Sequence, residues 1–140
     1  MRLDEMSFDK QVAYLRSVLA PGKNSMLSYL ALFAMRHHLA SKHSPSFSKK
    51  PVVRWYVGQL AKEYIKRYVN EVARGLEGFV QIGLLHEEGE KEGKSYYLRE
   101  EFYPALFAVL EEIFGKEYMA RVKRSARFYK DRKDDFENWR

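Results

Sequence analysis

Asn70, Arg74 and Gln81 carry the side-chain chemistry that stands out in this chain of 140 residues. An Asn amide matches the major-groove edge of adenine in two places, and an Arg guanidinium does the same for guanine. Residues four apart lie one above the other on a helix, so Asn70 and Arg74 can face the same way. Lys49, Lys50, Arg54, Lys62, Lys66 and Arg67 precede or flank them in the chain. Cations of that kind hold phosphates without reading sequence. Arg121, Lys123, Arg124 and Arg127 form a second basic group that offers further phosphate contacts. Any one of these cations reads equally well as a solvated side chain, and Asn70 reads equally well as a local cap if a helix begins there.

Other chemistry finds little support. His37, His38, His43 and His86 form no His-x-x-x-His pair, no His-Glu-x-x-His motif and no other strong ligand spacing, so no metal is expected. His37 and His38 are adjacent and diverge by about 100° on a helix. They read as core-edge or phosphate-facing residues. Gly89-x-x-x-Gly93 lacks the spacing and the strand-to-helix setting of a phosphate-binding loop. Glu87-Glu88 and Glu111-Glu112 read as solvated surface. The expectation is a protein that is not an enzyme and needs no cofactor.

Composition narrows the class. An apolar share of 46% with 31% charged residues suits a folded globular chain rather than a disordered one. The absence of cysteine excludes disulfides and thiolate metal sites and suits the cytoplasm. The longest apolar run, Met26 to Met35, is too short for a bilayer. Met1-Arg2 leads into Asp4 and Glu5 instead of an apolar stretch, so neither an export signal nor a membrane partner is expected.

The net charge of +6 is unevenly distributed. Residues 36–74 hold nine Lys or Arg against Glu63 and Glu71, a balance of +7. Residues 116–133 hold eight against Glu117 and Asp131, a balance of +6. Residues 86–101 reverse the sign, with three bases against six acids. Basic clusters on either side of an acidic one favour a polyanion partner through counterion release, although solvated helix faces give the same pattern.

The elements that must position these residues follow from periodicity. Phe8, Val12, Leu15 and Leu19 mark a helix over 7–19, capped by Ser7 or Asp4 and stopped by Pro21-Gly22. A second helix over 25–40 is apolar nearly all round and belongs at the centre of the core. Residues 41–51 read as a loop, and Val52-Val53 as a short strand after Pro51. Leu60, Tyr64, Tyr68, Val72, Leu76 and Phe79 then keep helical spacing, compatible with one unbroken helix or with two, over 54–64 and 69–82. A hairpin over 84–99 and a helix over 101–114 ending at Gly115 complete a domain of residues 1–115. Residues 116–140 read as a basic helical extension whose Phe136 and Trp139 can dock back on the body or on a partner.

Gly83 stands where the helix over 69–82 must stop, since glycine takes a left-handed conformation at little cost. Leu60-Ala61 opens the region, and Val72, Leu76, Phe79 and Ile82 run with spacing 4, 3, 3 into Gly83-Leu84-Leu85. A polar loop and the return strand Tyr97-Leu98 follow. These 40 or so residues, Leu60 to Leu98, resemble the winged helix-turn-helix DNA-binding domains of bacterial and archaeal transcription regulators. The resemblance implies a mainly α fold with a small β-hairpin wing, and additional helices at both ends. It further implies double-stranded DNA as partner, with the helix 69–82 in the major groove, and a homodimer formed through the first helix or the basic C-terminal arm.

Three features bear on that resemblance. No Gly, Pro or Asn marks a turn between Leu60 and Val69. The hairpin is acidic, so it is not expected to lie flat on DNA. Gly75 and Gly78, read with Asn70, Glu71, Arg74 and Gln81 as the outer surface of the helix, make a smooth strip where DNA or another helix comes close. The alternative is a protein-interaction module in a replication or transcription assembly, docking through the acidic hairpin and the aromatic tail. An RNA-binding role is weaker, because the tyrosines show no aromatic-on-sheet arrangement.

Overall fold

The computed structural model describes residues 2–19, 25–40, 46–49, 51–53, 66–89 and 93–131, with the side chains of 25, 66–68 and 126–131 left out of the description. The protein is mainly helical with one small three-stranded antiparallel sheet. Helix α1 spans Phe8–Val18 and α2 spans Ser25–Ala40. Strand β1 is Phe47–Ser48, and α3 spans Lys66–Gln81. The hairpin strands are β2, Leu85–Glu88, and β3, Ser95–Leu98. Helices α4, Tyr103–Phe114, and α5, Lys116–Asp131, follow.

The core is organised around α2. Six consecutive residues, Leu30 to Met35, are each no more than 1% exposed. Consecutive helical positions point in all directions, so a run of this kind requires neighbours all round. Helices α3, α4 and α5 and strand β3 supply them. Helix α1 packs on α4, and the buried Ser28 hydroxyl donates to the Leu19 carbonyl at 2.7 Å, joining the end of α1 to α2. Of the apolar positions on α1, Leu15 and Leu19 are fully buried, whereas Phe8 in the first turn is 52% exposed. Ser7, not Asp4, caps the helix, accepting from the Lys10 amide at 3.4 Å.

The stretch read as a loop and a Val52-Val53 strand is arranged differently. The strand lies earlier, with Phe47 opposite Tyr96 and Ser48 opposite Ser95, and Pro51 to Val53 are helical. Proline is tolerated in a first helical turn, where its missing N–H is not needed. Phe47 holds the strand in place, because its ring meets Phe33 at 5.2 Å, His37 at 5.5 Å and Tyr96 at 6.2 Å. The helix expected over 54–64, and with it the question of one helix or two, lies outside the described residues.

Strand order is β1-β3-β2, with Leu85 opposite Leu98 and Glu88 opposite Ser95. Helix α4 starts through a short 3-10 turn, Glu100–Phe102, and Gly115 alone separates it from α5. The segment read as an extension is in fact part of the body as far as Val122. Met119 and Val122 are buried, and α5 packs along α2 and α4. Residues 132–140, with Phe136 and Trp139, lie outside the described residues.

At the surface, the Arg16 guanidinium grips both oxygens of Glu112 at 2.8 Å, tying α1 to α4. The hydrogen bond from Arg16 holds the Glu112 carboxyl below its ordinary value of 4.5. A lowered folded-state value means that this pair stabilises the fold above the ordinary value and ceases to do so as pH falls through the lowered one. Arg16→Ala and Glu112→Ala should therefore be coupled at neutral pH and uncoupled in strong acid, as read by a double-mutant cycle in urea. Gly83, at φ +87, is the second test: Gly83→Ala should cost about 1–2 kcal/mol, seen as a lower urea midpoint.

Candidate nucleic-acid interface

Helix α3 is already under way at Lys66, three residues before the expected start, so Asn70 lies inside it and is not its cap. Val72, Gly75, Leu76 and Phe79 are buried, and the helix packs against α2 and β2. Asn70, Arg74, Glu77 and Gln81 are exposed. Their spacing of 4, 3 and 4 places them along one stripe about 16 Å long. Each of the four ends in a group that can hydrogen-bond to a base edge: Asn and Gln to adenine, Arg to guanine, and Glu to the cytosine amino group. Sequence reading omitted Glu77, although the 4-3-4 spacing of polar residues was a signal that could have found it.

The two glycines of α3 divide. Gly75 is not on the outer surface; it is buried, and a methyl group there would lie 2.6 Å from Leu30 Cδ1 and 3.2 Å from Leu27 Cδ2. It is the point at which α3 approaches α2. Gly78 is half-buried, and a methyl group there would meet nothing among the described residues within 4 Å. Close packing among the described residues explains the first and not the second.

The stripe itself is electrically balanced, Arg74 against Glu77. Cations sit elsewhere. Lys49 is helical and half-buried. Lys66 and Arg67 are in α3, and Arg127 is in α5, but their side chains lie outside the described residues. Lys50, Arg54 and Lys62 fall wholly outside them. Arg121, Lys123 and Arg124 are exposed on a different helix, α5, where Arg121 lies over the Tyr118 ring at 5.9 Å and Lys123 over Phe107 at 4.8 Å.

The C-terminal end of α3 is closed by a Schellman arrangement. Leu84 N–H donates to the Phe79 carbonyl at 2.9 Å and Gly83 N–H to Val80 at 3.0 Å. The hairpin then leaves with Leu85, Tyr96 and Leu98 buried and His86 and Glu88 exposed. Glu87 pairs with Lys94 at 3.3 Å, and burial pushes the Tyr96 phenol above its ordinary value. Outside this region, His37 is buried against Phe33 and Phe47, which removes it from any phosphate-facing surface. His38 is half-buried beside Tyr103 at 5.7 Å. Among the described residues no three of His, Asp and Glu stand close enough to hold a metal ion, and no helix is long and apolar enough to cross a membrane.

No family model, curated protein or solved structure matches the chain. Its own geometry must therefore carry any functional reading.

The glycines give a test that needs no ligand. Gly78→Ala should stabilise the protein by about 0.5–1 kcal/mol, because helix propensity improves and the added methyl group meets none of the described residues. Gly75→Val should overpack the α2–α3 contact and cost about 1–3 kcal/mol. Urea denaturation of both variants checks the opposite signs.

Proposed function

We propose that the protein binds double-stranded DNA as a winged-helix domain, laying α3 in the major groove. The observation that carries this reading is the stripe Asn70, Arg74, Glu77 and Gln81, opposite a face of the same helix that is buried in the core. A major groove about 12 Å wide admits a helix, and four side chains able to hydrogen-bond to bases along one line suit it. The order helix, strand, helical segment, helix, hairpin, with the strands arranged β1-β3-β2, supports the winged-helix assignment. Gly78 supports it too: a glycine that no neighbour among the described residues requires, on the margin of the stripe, suits the approach of a backbone from outside.

Because the stripe is balanced in charge, it contributes sequence reading, while affinity comes from phosphate contacts by Lys49, Lys66, Arg67 and the residues around them. Transcription regulation as a homodimer is proposed by analogy with the use of such folds. If it holds, the contact between copies does not use Leu15 or Leu19, which are buried within the chain.

A second reading is supported by the hairpin. Strand β2 is an edge strand, and its Glu87 and Glu88 give it an acidic character to which a basic protein segment could add as a further strand.

Fluorescence polarisation with a random duplex of about 30 base pairs, titrated from low to physiological salt, decides between them. The DNA reading expects steeply salt-dependent binding that Lys66→Ala/Arg67→Ala/Arg74→Ala abolishes. Once a preferred site is selected, Glu77→Ala should relax discrimination at a single base pair, and Gly78→Ala should weaken binding while raising stability. Failure to bind even at low salt sinks the reading and turns attention to the hairpin.

A further inference from the structure

Residues 2–6 form a strap that closes the far end of α3. Leu3 is fully buried, and its N–H donates to the Ile82 carbonyl at 2.9 Å. Gln11 of α1 holds the strap from the other side, its amide donating to the Leu3 and Met6 carbonyls at 3.1 Å each. The Arg2 side chain is thereby laid on the last turn of α3. Its Nη1 donates to the Gln81 carbonyl at 3.3 Å, and its Nε pairs with Asp4 at 3.4 Å. Gly83 makes room for it, since a methyl group at that position would stand 3.1 Å from Nη2.

One function of this contact lies within the fold. The C-terminal end of a helix carries partial negative charge and unsatisfied carbonyls, and a guanidinium there satisfies one and offsets the other. The contact does not exhaust the side chain. A guanidinium has five N–H donors; these contacts engage two of them, and the Arg2 side chain is 45% exposed. It stands beside Gln81, the last member of the exposed stripe.

We propose that Arg2 is a phosphate contact of the DNA-facing surface, held at the C-terminal end of α3 by the strap; the proposal rests on the DNA reading of α3. A helix whose stripe is about 16 Å long, lying in a groove about 12 Å wide, meets a phosphate strand near each end. Lys66 and Arg67 precede the stripe in the helix, and within the described residues Arg2 is the cation attached beyond its other end. Asp4 competes with phosphate for the same guanidinium, so it tempers the contact.

The test is duplex binding across a salt range for the wild type, Arg2→Ala, Arg2→Lys, Gln11→Ala and Asp4→Asn, with thermal unfolding of each. Arg2→Ala should reduce the slope of log affinity against log salt by about 1 and weaken binding about tenfold near 0.1 M salt. Arg2→Lys should keep the slope. Gln11→Ala, which loosens the strap and leaves the charge, should keep it too. Asp4→Asn should tighten binding.

An unchanged slope in Arg2→Ala overturns the proposal even if affinity falls, because the residue would then only position α3. Should Arg2→Ala fail to fold, Asp4→Asn decides, and unchanged binding there counts against the contact. Wild-type protein that does not bind duplex at any salt removes the DNA reading and this proposal with it. Binding with the Arg2→Ala slope intact removes this proposal alone.

Discussion

Leu30 to Met35 leave α2 no face for water, and the rest of the protein is arranged to meet that demand. Burial of apolar side chains stabilises a fold roughly in proportion to the area removed from water, so a helix apolar on every side gains most at the centre. Helices α3, α4 and α5 each offer it one apolar face, and the sheet adds β3. Helix α5 is drawn in for the same reason. Its charge is strongly basic, yet Met119 and Val122 anchor it to the body and leave Lys116, Arg121, Lys123 and Arg124 outside.

Once α2 occupies the centre, α3 has only one face to give it. The close approach at Gly75 fixes how α3 sits on α2, and thereby which of its residues remain outside. Asn70, Arg74, Glu77 and Gln81 are therefore a consequence of packing before they are a functional surface. The same constraint fixes the ends of the helix. The turn at Gly83 sends the chain directly into the hairpin, while Leu3 and Arg2 close over that turn from the N-terminal side. The exposed stripe, the hairpin and the strap are thus joined at one turn.

Much of this was legible in the sequence, for identifiable reasons. The bounds 25–40 of α2 and the stop at Gly83 follow from strong signals, an all-round apolar run and a glycine after a periodic helix. Strand β1 is illegible because two residues are too few to show alternation, and Pro51 suits the start of a strand and a first helical turn equally well. Gly75 was placed on the outer surface because glycine carries no apolar side chain to count. Yet it lies three residues after Val72 and four before Phe79, squarely on the buried face. Glu77 is hidden for the opposite reason: it is an acidic member of a polar series whose other charged member, Arg74, is basic. The strap could not be read from sequence, because Arg2 meets Gln81 across 79 positions of chain and no local pattern announces such a contact.

Electrostatics then constrains how a duplex could meet this surface. Glu88 and the Glu87–Lys94 pair lie on a hairpin that begins directly after α3. Charges within about 8 Å of phosphate at physiological salt are poorly screened, so an acidic hairpin pressed against the backbone would oppose binding. The stripe adds nothing to offset that, since Arg74 and Glu77 cancel. Attraction has to come from cations off the stripe. On the proposed DNA reading, the cations of Lys66 and Arg67 ahead of the stripe and of Arg2 beyond it would draw phosphate, and repulsion at the hairpin would tip the duplex away from it. Under that proposal a duplex would centre on α3 with the hairpin held off, which would leave the edge of β2 uncovered.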